Sequence, residues 1–168
     1  KVKVYGDLRS VLGRGEIHMG WMLVNIFSSK NIIKCPDLYS PSLNQSGFYN
    51  SLCYYSSITE PPKIYATGNV SAQAFEHAFR ATQLTHAPDF TSINNNAVHE
   101  FTMTFRNCLN LKDMAKTKEE FSNSEAILQE TYLGCSHLTD TDRKITFSNG
   151  IGSYAMTSAL EGCSSITS

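Results

Sequence analysis

The stretch Ala97-Val98-His99-Glu100-Phe101-Thr102-Met103-Thr104-Phe105-Arg106 alternates larger apolar and polar side chains along its length. A period of two puts His99, Phe101, Met103 and Phe105 on one face and Glu100, Thr102, Thr104 and Arg106 on the other. This pattern predicts a half-buried antiparallel strand, one face on the core and one in water.

Helical spacing flanks it on both sides. Ser71 is a candidate N-cap for a helix over 72–84, with Phe75, Ala78, Phe79 and Thr82 on one stripe and Glu76 and Arg80 as an i,i+4 pair. On the other side, Thr117-x-x-Glu120 and Ser122-x-x-Glu125 are competing capping boxes. The helix they start would bury Ile127, Leu128 and Tyr132 and stop at Gly134. Residues 144–147, Asn149-Gly150 and 151–156 read as a hairpin on a type I′ turn. Further strands are expected at 1–5, 16–27, 32–35 and 64–67.

The expected order is β-β-β, loop, β-α-β-α-β-β. It implies an α+β fold: a mainly antiparallel sheet, or a small sandwich or barrel, with two helices packed on one face. No internal repeat is read from the sequence. One domain is expected over 1–168, with an irregular Tyr-rich segment at 36–63 and a fraying tail at 161–168.

Composition narrows the function classes. Of 168 residues 41% are hydrophobic, enough for a core, and only 17% are charged. Lys and Arg number 14 against 15 acids, so no basic excess is available for gripping nucleic acid through phosphates. The longest apolar stretch, 17–27, is broken by His18, Gly20 and Asn25, too short for a membrane span. The sequence opens at Lys1 rather than Met, which reads as a processed form or an excerpt.

The five cysteines, Cys35, Cys53, Cys108, Cys135 and Cys163, lack the close spacing of a zinc site. Buried free thiols are the first reading, and one or two disulfides the second. Asn44-Gln-Ser46 and Asn69-Val-Ser71 are glycosylation sequons, which would fit secretion. None of His18, His77, His86, His99 and His137 falls at a metal-ligand spacing. Asp140-Thr141-Asp142 offers two loop carboxylates to a hard cation but reads first as a turn. No phosphate loop or nucleophile elbow is present, and no cofactor is expected.

Gly68-Asn69-Val70-Ser71-Ala72, and Asp142–Phe147 followed by Gly150-x-Gly152, resemble short stretches of ketoacyl-synthase-type thiolase-fold enzymes. That family's histidine motif is missing ahead of the Gly-Asn turn and the spacing between the segments is too long, so the resemblance assigns no catalytic residue here.

The candidate binding residues are Tyr39, Phe48, Tyr49, Tyr54 and Tyr55, set among Ser and Asn. Tyrosine supplies contact area with a polar tip at little entropic cost. With near-zero net charge favouring association, the chain reads as a non-enzymatic structural or binding subunit of a virion, tail or extracellular filament, partnered by copies of itself or other subunits. One alternative is an enzyme whose site gathers distant residues such as His86, Cys135, His137 and Asp140. The other is a secreted recognition domain.

Overall fold

A computed structural model describes residues 33–34, 38–40, 53, 56–66, 75–92, 101–117, 120–121, 128–142, 146–147 and 155–167. Four short strands occur among them: β1 (Leu38–Ser40), β2 (Ile64–Ala66), β3 (Glu120–Phe121) and β4 (Thr146–Phe147). β1 pairs with β2 and β3 with β4, both parallel, and among the described residues neither pair gains a third strand. The described residues contain no helix.

Parallel contacts recur at a nearly constant separation. Leu38 pairs with Ile64, Lys34 bridges Glu60, Asp89 bridges Lys116 and Asp113 bridges Asp140. The residues between these contacts are built from overlapping turns. In 75–82, the N–H groups of Ala78, Arg80 and Thr82 bond three residues back, to the carbonyls of Phe75, His77 and Phe79. The alternate N–H groups leave the turn instead: His77, Phe79 and Ala81 donate to Thr102, Thr104 and Arg106 in the next one. Met103, Phe105 and Asn107 repeat this toward Gln129, Thr131 and Leu133, and Glu130, Tyr132 and Gly134 toward Thr157, Ala159 and Glu161.

Each segment thus spends half its donors on itself and half on its successor, which is the logic of a solenoid. Left-handed backbone recurs in step, at His77, Met103, Glu130 and Ser158 and again at Ala81, Asn107, Gly134 and Gly162. The segments align as Phe75-x-x-Ala78-Phe79-x-x-Thr82, Phe101-x-x-Thr104-Phe105-x-x-Cys108, Leu128-x-x-Thr131-Tyr132-x-x-Cys135 and Met156-x-x-Ala159-Leu160-x-x-Cys163. Cys53 and Ser56 belong to a preceding segment, since Cys53 N–H donates to Ala78 and Ser56 N–H to Cys53.

Burial follows these columns. Phe79, Phe105 and Tyr132 stack with centroids 5.7 and 5.4 Å apart and ring planes 7° and 11° from parallel. Phe75 and Phe101 form a second stack at 5.8 Å and 10°. Phe90 fills the space beside both, 4.7 Å from Phe75 and 6.5 Å from Phe105. Ile58, Leu84, Leu111 and Leu138 make an aliphatic column, with Ile166 packed against the core at its end.

The α+β expectation is therefore corrected. The helical stripe Phe75, Ala78, Phe79 and Thr82 is buried as a set, but the chain carrying it is a staircase of turns, not a helix over 72–84. The i, i+3, i+4, i+7 spacing fixes which side chains face inward without fixing where the N–H groups go. The alternating segment fails differently: 102–107 is turn, and the buried set is Phe101, Thr104, Phe105 and Cys108 rather than every second residue. The second helix is overturned likewise, 129–134 being turn. Thr146–Phe147 is extended, but parallel to β3. Asn149-Gly150 and the strands at 1–5 and 16–27 lie outside the described residues. A repeat is present where none was read, because its length drifts from 26 to 27 to 28 residues between successive left-handed positions.

Candidate functional site

Of the five aromatic residues singled out for binding, Tyr39 lies in β1, in register with Tyr65 of β2. Phe48, Tyr49, Tyr54 and Tyr55 lie outside the described residues. Between them Cys53 is fully buried and disulfide-bonded.

The thiols of the other described cysteines form a column. Cys108 Sγ donates to the Phe79 carbonyl at 3.0 Å, Cys135 Sγ to Phe105 at 3.1 Å and Cys163 Sγ to Tyr132 at 3.2 Å. Thr82 occupies the same position one segment earlier, with its hydroxyl 3.3 Å from Cys108 Sγ. Burial pushes the Cys108 thiol up to about 11 against the pull of hydrogen bonds from Thr82, and it raises Cys135 and Cys163 as well. A thiol held in its protonated form is a poor nucleophile and a poor metal ligand.

A threonine column runs parallel to it. Thr104 Oγ1 lies 2.7 Å from the Phe75 carbonyl and 2.8 Å from that of Phe101, and Thr131 Oγ1 donates to Phe101 at 2.9 Å. Both columns use short polar side chains to tie one segment to the last.

One flank carries a charged row, where parallel contacts or segment alignment bring Lys34, Glu60, His86, Asp113 and Asp140 together, while Arg106 pairs with Glu130 in the turn segments outside it. Lys34 Nζ sits 2.8 Å from Glu60 Oε2, in the open, and this ammonium holds the Glu60 carboxyl below its ordinary value. His86 Nδ1 lies 3.4 Å from Asp113 Oδ1, which also accepts the Ala87 N–H at 3.1 Å. Asp140 Oδ1 accepts the N–H of Asp142 at 3.2 Å, the geometry of an Asx turn. Asp89 accepts from both the hydroxyl and the N–H of Thr91, which lowers its pKa. The signal for this row was the recurrence of charged residues at the repeat spacing.

The residues considered for an assembled catalytic site fall apart. Cys135 is buried with its proton on the Phe105 carbonyl, while His137 is exposed with Nδ1 2.7 Å from the Leu109 carbonyl. His86 and Asp140 lie on the charged flank, outside the thiol column. Among the described residues no group of three or more His, Cys, Asp and Glu side chains is placed to hold a metal ion, and no helix is long and apolar enough to cross a membrane. No known protein family matches the chain, and neither does any curated protein or solved structure.

Proposed function

We propose that the protein is a non-enzymatic structural or binding subunit, working in an assembly of the virion, tail or extracellular-filament kind through its lateral faces and the Tyr-rich segment at 36–63. The observation that carries this reading is the use to which the reactive side chains are put. Three thiols and two threonine hydroxyls are spent on backbone carbonyls of the neighbouring segment. Repeat stacks of this kind present extended lateral surfaces suited to holding partners rather than to enclosing a substrate.

A native mass spectrum of the protein from its source, recorded without reductant, tests it. A defined multiple of 18.7 kDa, or a stoichiometric complex with another subunit, is the expected result. A bare monomer at every concentration would count against it.

One observation favours a second reading, a secreted recognition domain. Cys53 is disulfide-bonded, and disulfides persist in oxidising compartments. Glycan mass on Asn44 or Asn69 in the same spectrum would select this reading.

A further inference from the structure

Cys53 stands where its neighbours carry aromatic rings. Its N–H donates to the Ala78 carbonyl just as the N–H groups of Phe79, Phe105 and Tyr132 donate to Thr104, Thr131 and Ala159. Cys53 therefore belongs to the column of Phe79, Phe105 and Tyr132, and it is fully buried like the first two of them. A thiol alone is too small for a place that otherwise takes a ring, and an unfilled interior is costly. Cys53 is disulfide-bonded, so a second sulfur shares that place.

Two independent counts name the partner. The chain has five cysteines, and Cys108, Cys135 and Cys163 carry free thiols, which leaves Cys35 as the one other cysteine of the sequence. The repeat register points the same way. Tyr132 spans the core from its own turn to the strip before it, where its hydroxyl accepts the Ala115 N–H at 3.0 Å. Met114, beside Ala115, packs against the core and precedes Tyr132 by 18 residues. Cys35 precedes Cys53 by the same 18 residues. Lys34 and Asp113, each one residue earlier, hold equivalent places in the parallel row, where they bridge Glu60 and Asp140.

We infer that Cys35 and Cys53 form a disulfide staple, which takes the place of the aromatic ring of later segments and ties the chain just after Lys34 to the turn segment of Cys53 and Ser56. Cys35 lies outside the described residues, and the sequence count from Lys34 assigns it. In forming the S–S bond each thiol gives up its proton, and the pair gives up two electrons to a small-molecule or enzyme disulfide that leaves as two thiols. That exchange belongs to an oxidising compartment. Burial and hydrogen bonds to backbone carbonyls keep the Cys108, Cys135 and Cys163 thiols out of it. In a solenoid each segment leans on its neighbours, so the staple acts locally, on the segment of Cys53, Ser56 and Ile58. It holds whatever partner the lateral faces take.

Peptide mapping of the full chain tests the pairing, after folding in a mixture of reduced and oxidised glutathione and alkylation in denaturant without reductant. Trypsin leaves both cysteines on one piece between Lys34 and Lys63, so chymotrypsin is added to cut after Tyr39 or Tyr49. The fragment carrying Cys35 should stay joined to the fragment carrying Cys53 until reductant separates them. A link from Cys53 to Cys108, Cys135, Cys163 or a second chain overturns the pairing, and so does recovery of Cys53 in alkylated form. Hydrogen exchange tests the role of the staple. In Cys35→Ser, protection of the Cys53 and Ser56 amides should fall on the order of a hundredfold, while that of Phe105 and Tyr132 stays nearly unchanged. Unchanged protection at Cys53 and Ser56 overturns the staple as the support of this segment, and an equal loss along the whole stack overturns its local action. If Cys35→Ser does not fold, reduction of the native chain gives the same comparison.

Discussion

The Sγ of Cys135 donates to the carbonyl of Phe105 at 3.1 Å, across the boundary between two segments. Cys108 and Cys163 do the same to Phe79 and Tyr132, so these thiols act as short internal hydroxyls would. In the native protein Cys108 and Cys135, both fully buried, should resist alkylation at neutral pH and react on unfolding. Cys163, 7% exposed, should react first of the three. Mass spectrometry after timed iodoacetamide labelling reads this directly, and rapid native labelling of Cys135 would contradict the placement.

The same burial links stability to alkaline pH. The Cys108 thiol rises from 9.0 to about 11 in the folded protein, because burial disfavours the thiolate. A group whose folded pKa is raised binds its proton more tightly when folded, so its contribution is whole below the unfolded value and is lost as pH climbs through the folded one. Stability should therefore be flat in this respect below pH 9 and fall between pH 9 and about 11. The fall should be on the order of 2–3 kcal/mol from this thiol. Urea midpoints across that window measure it, and Cys108→Ser, whose hydroxyl does not titrate there, should make the fall shallower by this thiol's share while the raised Cys135 and Cys163 keep theirs.

Phe105 lies between Phe79 and Tyr132 in one stack and touches Phe90 from the side. In a solenoid each segment is held chiefly by its neighbours, so a hole in the middle loosens both sides at once. Phe105→Ala should cost about 3–5 kcal/mol. Phe105→Leu, which keeps more of the volume, should cost only about 1–2 kcal/mol. Chemical denaturation of the two variants gives the comparison, and equal losses would mean that the stack is not close-packed at this position.

What could be read from the sequence was the inward face, not the path of the backbone. Phe75, Ala78, Phe79 and Thr82 are a buried set whether the chain between them is a helix or a run of turns, because both return a side chain to the same side every three to four residues. The two differ in the destination of alternate N–H groups, and that destination lies in the next segment, beyond the reach of a local pattern. Asn107-Cys108, Gly134-Cys135 and Gly162-Cys163 carried the missing signal. Each is a residue tolerant of left-handed backbone followed by a small buried thiol, and Leu or Ile follows three residues after each cysteine. Ala81-Thr82 breaks the motif in the preceding segment, and Leu84 follows Thr82 by two residues. The charged row was hidden by the same unequal spacing, and of the aromatic candidates only Tyr39 has a described backbone position.

Thr104 and Ser56 are both buried hydroxyl residues but should answer differently to losing their oxygen. Thr104 Oγ1 contacts two carbonyls, those of Phe75 and Phe101. Ser56 Oγ is buried without a hydrogen-bond partner. Thr104→Val keeps shape and removes the donor, and should cost about 1–2 kcal/mol. Ser56→Ala relieves an unsatisfied polar group and should be neutral or stabilising by up to about 1 kcal/mol. Thermal midpoints of the two variants should therefore move in opposite directions, or one should move and the other stay.

Gly134 and Ala81 share one column and one left-handed backbone conformation, with φ of 76° and 57°. Only glycine adopts that region without a steric penalty. At Gly134 a Cβ would also fall 2.5 Å from Oδ1 of Asn107, so the asparagine side chain would have to turn aside. Gly134→Ala should therefore destabilise by about 1–3 kcal/mol, most of it from the backbone. At Ala81 the penalty is already present in the native chain. Ala81→Gly removes it, keeps the N–H that donates to the Arg106 carbonyl, and gives back part of the gain through the greater freedom of glycine when unfolded. The net expectation is a stabilisation of about 0.5–1 kcal/mol. Opposite shifts of the denaturation midpoint in these two variants would establish the recurring left-handed position as a requirement of the stack. A loss of stability in both would show that Ala81 is held by its packing and not by the turn.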